Sequence, residues 1–499
     1  MTARPSLLIE NAAVITMDPA RRVISPGYVA IADDRITGVG PMAERPDAGS
    51  ARVIDATGHA VLPGFVNAHT HSLDLLLRGG LCDDRRLYDW LANVVLPGCK
   101  VYGDAEIETA VGMYTLEALR SGITTVVDSV EVPFDEWLPT AELMTRAYGR
   151  SGLRTVLAQM FYDQMPAHLA ELLAGISSRP PTEDVDLGAV ADLGAILGRL
   201  DEVIGRYHGT LDGRLSMWPS PGVAVLCSRD ALIGARDLAR RRGTMTTLHL
   251  AESPHDERQC GLSSVEYLGH IGFLGPDVLA AHCVQTGTGD VRVLAETGTR
   301  VATNPVSNLF LGNGIAPVAE LLAAGVKVGI GTDDANCNGT VNMVGDLKFA
   351  ALAQKGRYRD PAALTAERAL EMATIGGAEA IGMAEHIGSV EVAKKADLAI
   401  MDLRGSHLFP RQSLASAIVY QATGDEVDTV IVDGRIVMEG RRPVWLDAEE
   451  ERELVARAQA CSDRVAREAR LPARSDAAWR STYAGAPAQP GAITQPEPG

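Results

Sequence analysis

Basic residues are in short supply in this chain of 499 residues: 46 lysines and arginines face 64 aspartates and glutamates, giving a formal net charge of −18. Such a surface excludes a general nucleic-acid binder or a protein held on anionic lipid by charge. Long apolar runs are missing too. No stretch approaches the ~20 residues that a bilayer span requires, and the N-terminus lacks a basic-then-apolar leader, so a cytoplasmic protein without membrane association is expected. Cysteine is sparse: the seven, at positions 82, 99, 227, 260, 283, 337 and 461, form an odd set with no Cys-x-x-Cys. That excludes a disulfide framework and a thiolate zinc site. Aromatics are only 5%, yet the apolar fraction of 46% supports a well-buried core. At this length the chain exceeds the roughly 250–300 residues at which single cores stop growing, so one large domain plus something smaller is expected.

What is present is organised around Leu62-Pro63-Gly64-Phe65-Val66-Asn67-Ala68-His69-Thr70-His71. The apolar run Val61 to Val66 reads as a strand. Two histidines spaced i, i+2 at its end share one face if the extension continues, so both imidazoles could grip one ion. A hydrolytic metal site needs three or four protein ligands and one position left for water. The rest of the chain shows where to look for them.

Short β-type runs occupy Ser6 to Ile9, Ala13 to Met17, Tyr28 to Ile31, Arg35 to Val39 and Arg52 to Asp55. A matching set returns at Ala396 to Asp402, Ser416 to Tyr420, Val427 to Val432 and Arg435 to Met438, with Asp433-Gly434 as a hairpin turn. The two chain ends are therefore expected to build one small β-sandwich from residues 1–60 and 390–445. Between them, strand-like runs at Thr124 to Asp128, Arg154 to Phe161, Arg214 to Pro219, Thr244 to Glu252, Val278 to Val284, Thr299 to Pro305 and Lys327 to Asp334 alternate with helical stretches such as Ala105 to Arg120, Ala231 to Arg242 and Val318 to Ala324. With the opening strand they make eight, so the α/β architecture expected for residues 61–389 is a (β/α)8 TIM barrel. Pro180-Pro181 to Gly188 reads as a surface loop, residues 446–484 as a C-terminal helical extension with a charged helix from Glu449 to Leu471, and 485–499 as a disordered tail.

Barrel enzymes carry their chemistry at the C-terminal ends of the strands. There stand His249 and Glu252 in Leu248-His249-Leu250-Ala251-Glu252, His282 in Ala281-His282-Cys283, and Asp333 and Asp334 in Gly331-Thr332-Asp333-Asp334. Singly, each has a bland reading as a core histidine, a turn or a helix cap. Jointly, at four strand ends, they do not. His255-Asp256-Glu257 matches half of the cytidine-deaminase zinc signature, but no Pro-Cys-x-x-Cys follows, and it is assigned to a helix surface. His59, His168, His208, His270, His386 and His407 match no motif and read as surface or packing residues.

The pattern resembles the amidohydrolase superfamily, in its mononuclear branch of cyclic deaminases and s-triazine hydrolases. The resemblance spans roughly residues 6 to 445. It rests on Pro63 to His71, His249-Leu250-Ala251-Glu252, Asn304-Pro305-Val306-Ser307-Asn308 and Gly331-Thr332-Asp333-Asp334. Leu77-Arg78-Gly79-Gly80, Leu87-Tyr88-Asp89-Trp90-Leu91 and Thr340 to Asp346 are similar to the melamine deaminase and atrazine chlorohydrolase group. The resemblance implies that His69, His71, His249 and Asp333 hold one divalent ion, zinc first and iron(II) second. Asp333 would then share the proton of the bound water, His282 would orient that water, and Glu252 would protonate a ring nitrogen. No lysine stands at Trp218-Pro219-Ser220-Pro221, which argues against a carbamylated-lysine bridge.

Substrate contacts implied by the same resemblance are Asp74, Leu87, Trp90, Leu91, Asp128, Asn304, Asp334 and Cys337. Trp90 and Leu91 read equally well as core. Asp74 stands where the triazine enzymes tend to carry Gln, whereas Leu87, Asp128, Asp334 and Cys337 agree with the deaminating member of the group. The expected activity is hydrolytic deamination of a nitrogen heteroaromatic ring (an aminotriazine, pyrimidine, purine or pterin) with ammonia released, by a homo-oligomer whose partner is a small molecule. The alternatives are a chlorohydrolase or N-alkylamine hydrolase using the same metal site and, more remotely, a non-catalytic scaffold.

Overall fold

The computed structural model describes residues 5–79, 85–176, 192–254 and 261–471. The loop expected at Pro180 to Gly188, the His255-Asp256-Glu257 match, Gly80, and the tail from 485 lie outside the described residues. Among the described residues, no helix is long and apolar enough to cross a membrane.

The two chain ends meet in one nine-stranded sheet. Its path runs Arg442–Pro443, Arg435–Glu439, Val427–Val432, Leu398–Asp402, His59–Pro63, Leu7–Ile15, Val23–Ala32, Arg35–Pro41, with Arg52–Asp55 paired to Leu7–Ile15 off that path. The runs expected at Ser6 to Ile9 and Ala13 to Met17 are one strand, interrupted by irregular register between Ile9 and Val14. Asp433 and Gly434 turn the hairpin with both φ values positive, at 48° and 71°, which suits the twist of the flanking strands. Ile9, Val14, Val29, Ile31, Val61, Leu398 and Ile431 form this sheet's own apolar cluster.

One expected strand is not there. Ser416 to Tyr420 is helical, within Leu414–Ser416 and Ala417–Gln421. The Ser413 hydroxyl caps it by accepting from the Ser416 N–H at 3.2 Å, and Ile418 and Val419 bury themselves in the main core, so packing overrides the β-branched propensity.

The eight internal segments are strands, and they run parallel. Five-stranded and four-stranded sheets have the orders Asp333–Asp334, Phe65–His71, Ile123–Val130, Arg154–Phe161, Leu215–Pro221 and Thr246–Leu250, Val278–His282, Arg300–Thr303, Val328–Ile330. At one seam the His249 N–H donates to Gly222 O at 2.9 Å, with a parallel bridge between Val223 and His249. At the other, Gly331-Thr332 separates Val328–Ile330 from Asp333–Asp334, so the last strand contributes to both sheets. The helices Asp104–Arg120, Arg229–Arg242 and Val318–Ala323 fall where the pattern puts them.

The opening run Val61 to Val66 is not a single strand. It breaks at Gly64: His59–Pro63 pairs antiparallel with Leu398–Asp402 in the first sheet, and Phe65–His71 enters the parallel sheet. Successive amides serve the two sheets, Gly64 N–H donating to Asp397 O and Phe65 N–H to Gly122 O, both at 2.9 Å. Only glycine fits at this junction, because a Cβ there would lie 2.1 Å from Thr124 Cγ2. Nearby, Arg154 ties the two units together from within, its guanidinium donating to Asp397 Oδ2 at 2.8 Å and Asp433 Oδ1 at 2.6 Å with all three side chains buried.

The C-terminal helix Ala448–Glu468 lies on Asp104–Arg120, with Arg464 Nε donating to Glu106 Oε1 at 2.8 Å. Beyond its end, Ala469 and Leu471 join Val465 in an apolar cluster with Leu77, Leu87, Trp90, Leu311 and Cys337.

Candidate metal centre and cavity

His69 and His71 lie on the strand Phe65–His71, His249 on Thr246–Leu250, His282 at the end of Val278–His282, and Asp333 beside Thr70 on the pairing strand. Their side chains converge. The ligand atoms of His69, His71 and Asp333 lie within 4.8 Å of one another, and so do those of His69, His249 and His282. Asp333 Oδ1 is 3.3 Å from His69 Nε2 and 3.8 Å from His71 Nε2, and His71 Nε2 is 3.1 Å from His249 Nε2.

The backbone at these strand ends is unusual. Ala251, His282, Cys283 and Asp333 all adopt positive φ, between 51° and 73°, a region that non-glycine residues enter at a cost of order 1–3 kcal/mol each. Three of the four site segments carry that strain. It turns the chain sharply as it leaves the sheet and aims His282 and Asp333 at the common centre.

Hydrogen bonding fixes which nitrogen each imidazole offers. His249 Nδ1 faces Gly222 O at 2.8 Å and must donate to it, which leaves Nε2 as the bare nitrogen that meets His71 Nε2. Neither ring nitrogen of fully buried His69 makes a well-aligned hydrogen bond, its Nε2 lying 3.3 Å from Asp333 Oδ1. Burial pushes the His69 imidazole down to about 4 and that of His249 well below its ordinary value, the neighbouring imidazoles adding to the shift at His249. Burial opposes ionisation of Asp333, but His282, His69 and His71 outweigh it and hold the carboxyl well below the usual range. Neutral His69 and His249, the latter with a bare Nε2, beside an ionised Asp333 are in the protonation states in which such groups ligate a divalent cation, so the donor set fits a metal ion.

A second layer holds the first. Thr70 Oγ1 donates to Asp333 O at 2.9 Å and Ser307 Oγ to Asp333 Oδ2 at 2.5 Å. His282 Nδ1 lies 3.0 Å from Asn308 Oδ1 and 3.1 Å from Asn304 Nδ2, and its Nε2 is 3.7 Å from Glu252 Oε2. Asn313 Nδ2 donates to Glu252 Oε1 at 3.0 Å, leaving the other carboxylate oxygen toward His282. His282, expected only to orient water, lies within ligand reach of His69 and His249.

These groups open onto a cavity of about 610 Å³, counting its mouth, lined on the metal side by His71, His249, Glu252, His282 and Asp333. Of the expected substrate contacts, the cavity wall includes Asp74, Leu87, Trp90, Leu91 and Asp334. The other three are not on it. Asp128 is fully buried behind Ser72, accepting from the Ser72 N–H at 2.9 Å, the Ser72 hydroxyl at 2.6 Å and the Tyr148 hydroxyl at 2.7 Å. Asn304 backs His282, and Cys337 is buried beneath Asp334, its Sγ 3.5 Å from Asp334 O.

Glu131, Tyr162, Tyr88, Met160, Val95 and Val223 also line the cavity and were not expected from the sequence. Glu131 and Tyr162 follow directly on the strands Ile123–Val130 and Arg154–Phe161, so the strand-end rule that found the histidines applies to them as well. Burial, then the charge of Asp74, pushes the Glu131 carboxyl up to about 7.

Relatives of known name agree with this geometry. The chain is 36% identical over 449 residues to an S-triazine hydrolase of Gordonia rubripertincta, covering 87% of this chain and 91% of that protein. It is 35% identical over 449 residues to a 5-methylthioadenosine/S-adenosylhomocysteine deaminase of Moorella thermoacetica, covering 89% and 96%. Among solved structures, an atrazine chlorohydrolase of Arthrobacter aurescens TC1 complexed with zinc superposes with a TM-score of 0.82 at 25% identity, over 91% of this chain and all of that one. An adenosine deaminase of Xanthomonas campestris with bound zinc gives a TM-score of 0.80 at 27% identity, over 92% and 98%. Those neighbours imply a TIM-barrel catalytic domain, in keeping with the two parallel sheets. With the amidohydrolase family model matching residues 60–437, this chain belongs to the amidohydrolase family.

Proposed function

We propose that the protein is a metal-dependent aminohydrolase that replaces an exocyclic amino group of a nitrogen heteroaromatic ring by hydroxyl or oxo and releases ammonia. The observation that carries this is the meeting at His69 of two triads, His69, His71 and Asp333 on one side and His69, His249 and His282 on the other, with Glu252 beside them at a cavity walled by Trp90, Leu87 and Leu91. His69, His71, His249 and Asp333 would hold one divalent ion, zinc in the first place, as in the zinc-bound solved relatives. When bound, that ion supplies a coordinated water whose pKa falls toward ~7.

The chain's own residues do the rest. Asp333, kept ionised by three imidazoles and held by Ser307, takes the proton of the attacking water and passes it to the departing amine. Glu252, anchored through one oxygen by Asn313, gives its proton to a ring nitrogen, so that negative charge developing on the ring has a sink. His282, clamped by Asn304 and Asn308, polarises the attacking oxygen from the other side. Asp334 is buried beside Asp333 and its carboxyl is pushed well above the usual range, first by burial and then by Asp74 and Asp333. A neutral acid there stocks a proton for an amine leaving group, which chloride would not need.

The two parallel sheets and their helices would form one eight-stranded barrel, and the nine-stranded sheet a small sandwich from both chain ends. A screen for ammonia release across aminated triazines, pyrimidines, purines and pterins tests the reading, with chloride release from the matching chloro-rings measured in parallel. Ammonia from at least one ring class is expected. Chloride released faster than ammonia would instead favour the chlorohydrolase reading, for which the likeness to the Arthrobacter enzyme is the supporting observation.

A further inference from the structure

Next to the metal-side residues the cavity carries further carboxyl groups, of which the proposed deamination uses only Asp334. Asp74 comes from the short helix Leu73–Leu77, Asp334 from the strand Asp333–Asp334, and Glu131 from the segment after Ile123–Val130. Counting Glu252 and Asp333, five carboxyl groups line this cavity, and among the described residues no lysine or arginine does. The ligand atoms of His71, Asp74 and Asp334 lie within 4.8 Å of one another.

Little inside the protein balances Asp74, Glu131 and Asp334. Asp74 Oδ1 accepts from Cys99 Sγ at 3.1 Å, and Glu131 shares a hydrogen bond with the Tyr162 hydroxyl. Both partners are neutral. Asp334, only 5% exposed, shares a hydrogen bond with Asp74, and its Oδ1 receives no donor from any other group. On the adjoining wall the buried indole N–H of Trp90 is without a partner. Crowding carboxyl groups in a buried site is costly, and a ligand that brings positive charge and N–H donors offsets that cost.

Building on the ring-deaminase reading, we propose that the acidic end formed by Asp74, Glu131 and Asp334 is a subsite for a cationic nitrogen substituent, so that the substrate is an aminated ring carrying a protonated amine, amidine or guanidine arm. A nucleotide or an acid-bearing ring is then excluded, because its anion would face the same carboxyl groups. Tyr88, Tyr162 and Trp90 also line the cavity and provide aromatic surface for the ring and the cation. The acidic chain as a whole, at −18, favours the approach of a cation.

The test compares one amino-s-triazine ring carrying an aminopropyl arm, its butyl isostere and a carboxyethyl arm. Binding of the corresponding rings without the leaving amino group is measured by calorimetry on the metal-loaded protein, and KM for the aminated forms is measured beside it. The ammonium arm is expected to bind at least tenfold more tightly than butyl, and the carboxylate arm more weakly than either. Asp74→Asn and Glu131→Gln each bring the ammonium-to-butyl ratio toward one, with one metal equivalent retained. Equal binding of the ammonium and butyl arms by the unaltered protein overturns the proposal. So does uptake of a second zinc equivalent that Asp74→Asn abolishes, since the acidic end would then serve an ion. Ammonia release from the butyl-armed ring reports on the deaminase reading separately, and calorimetry decides on the subsite even if no ring is turned over.

Discussion

Replacing Glu252 by Gln isolates the proton-donor step from every other role the site plays. In the structure one carboxylate oxygen accepts from Asn313 Nδ2 at 3.0 Å, and the other lies 3.7 Å from His282 Nε2. Glutamine keeps the first contact through its carbonyl oxygen and turns its amide toward His282, so shape and anchoring survive. Only the transferable proton is lost. General acid catalysis contributes ~10²–10⁴-fold, equivalent to about 2.7–5.5 kcal/mol of barrier at about 1.36 kcal/mol per decade. Single-turnover ammonia release on protein of measured metal content is the assay, because it excludes product release and metal loss as causes. A fall in the chemical step within that range, at one metal per chain, is expected. Loss of the metal with turnover per bound ion unchanged would make Glu252 a ligand and refute the proton-donor role.

Other substitutions probe the remaining parts. His69→Ala and Asp333→Asn should abolish turnover while far-UV and near-UV circular dichroism stay native, because both residues lie at the strand ends and not among the packed layers. More than a few per cent of activity with metal still bound would contradict the ligand assignment. Asp128→Asn leaves one acceptor oxygen for three donors next to His71, so denaturant titration should show a loss of ~1–3 kcal/mol, with metal affinity lowered ~10–100-fold as the ligand loses its support. Unchanged values for both would mean that the contacts to Ser72 and Tyr148 carry no weight. Arg154→Met strands Asp397 and Asp433 in a buried site, and urea unfolding should report a loss of ~3–5 kcal/mol. A loss under ~1 kcal/mol would show that this triad does not couple the two sheets.

The cluster of candidate metal ligands was legible in the sequence because such chemistry needs rare residue types at one repeated place. Histidine is scarce, 11 in 499 residues, and four of those 11 stand at the ends of apolar runs. The composite sheet was legible from turn residues such as Asp433-Gly434 and from alternating runs at both ends. What was not legible follows from boundaries and packing. Asp128 was expected at the cavity from the family resemblance, with the second parallel strand read only as far as that residue. The strand runs on to Val130, which brings Glu131 to the cavity and leaves Asp128 bonded to Ser72 and Tyr148 behind it. The break at Gly64 depends on the close approach of Thr124, a contact between segments 60 residues apart in sequence that no local pattern encodes. Ser416 to Tyr420 misled for the opposite reason, its local propensity being overridden by burial in the core. Trp90 and Leu91, equally readable as core or pocket, are both: Trp90 belongs to the cluster that includes Val465 and Leu471 and also faces the cavity.

In the proposed reaction a single metal ion, held by His69, His71, His249 and Asp333, drives release of ammonia from an aminated ring. Titrating zinc into chelator-stripped protein while following ammonia release from the best ring of the substrate screen tests it most directly. No release without metal, a linear rise with added zinc and saturation at one equivalent per chain are expected. Ammonia release by the stripped protein, or a rise that continues to a second equivalent, would contradict the proposed reaction.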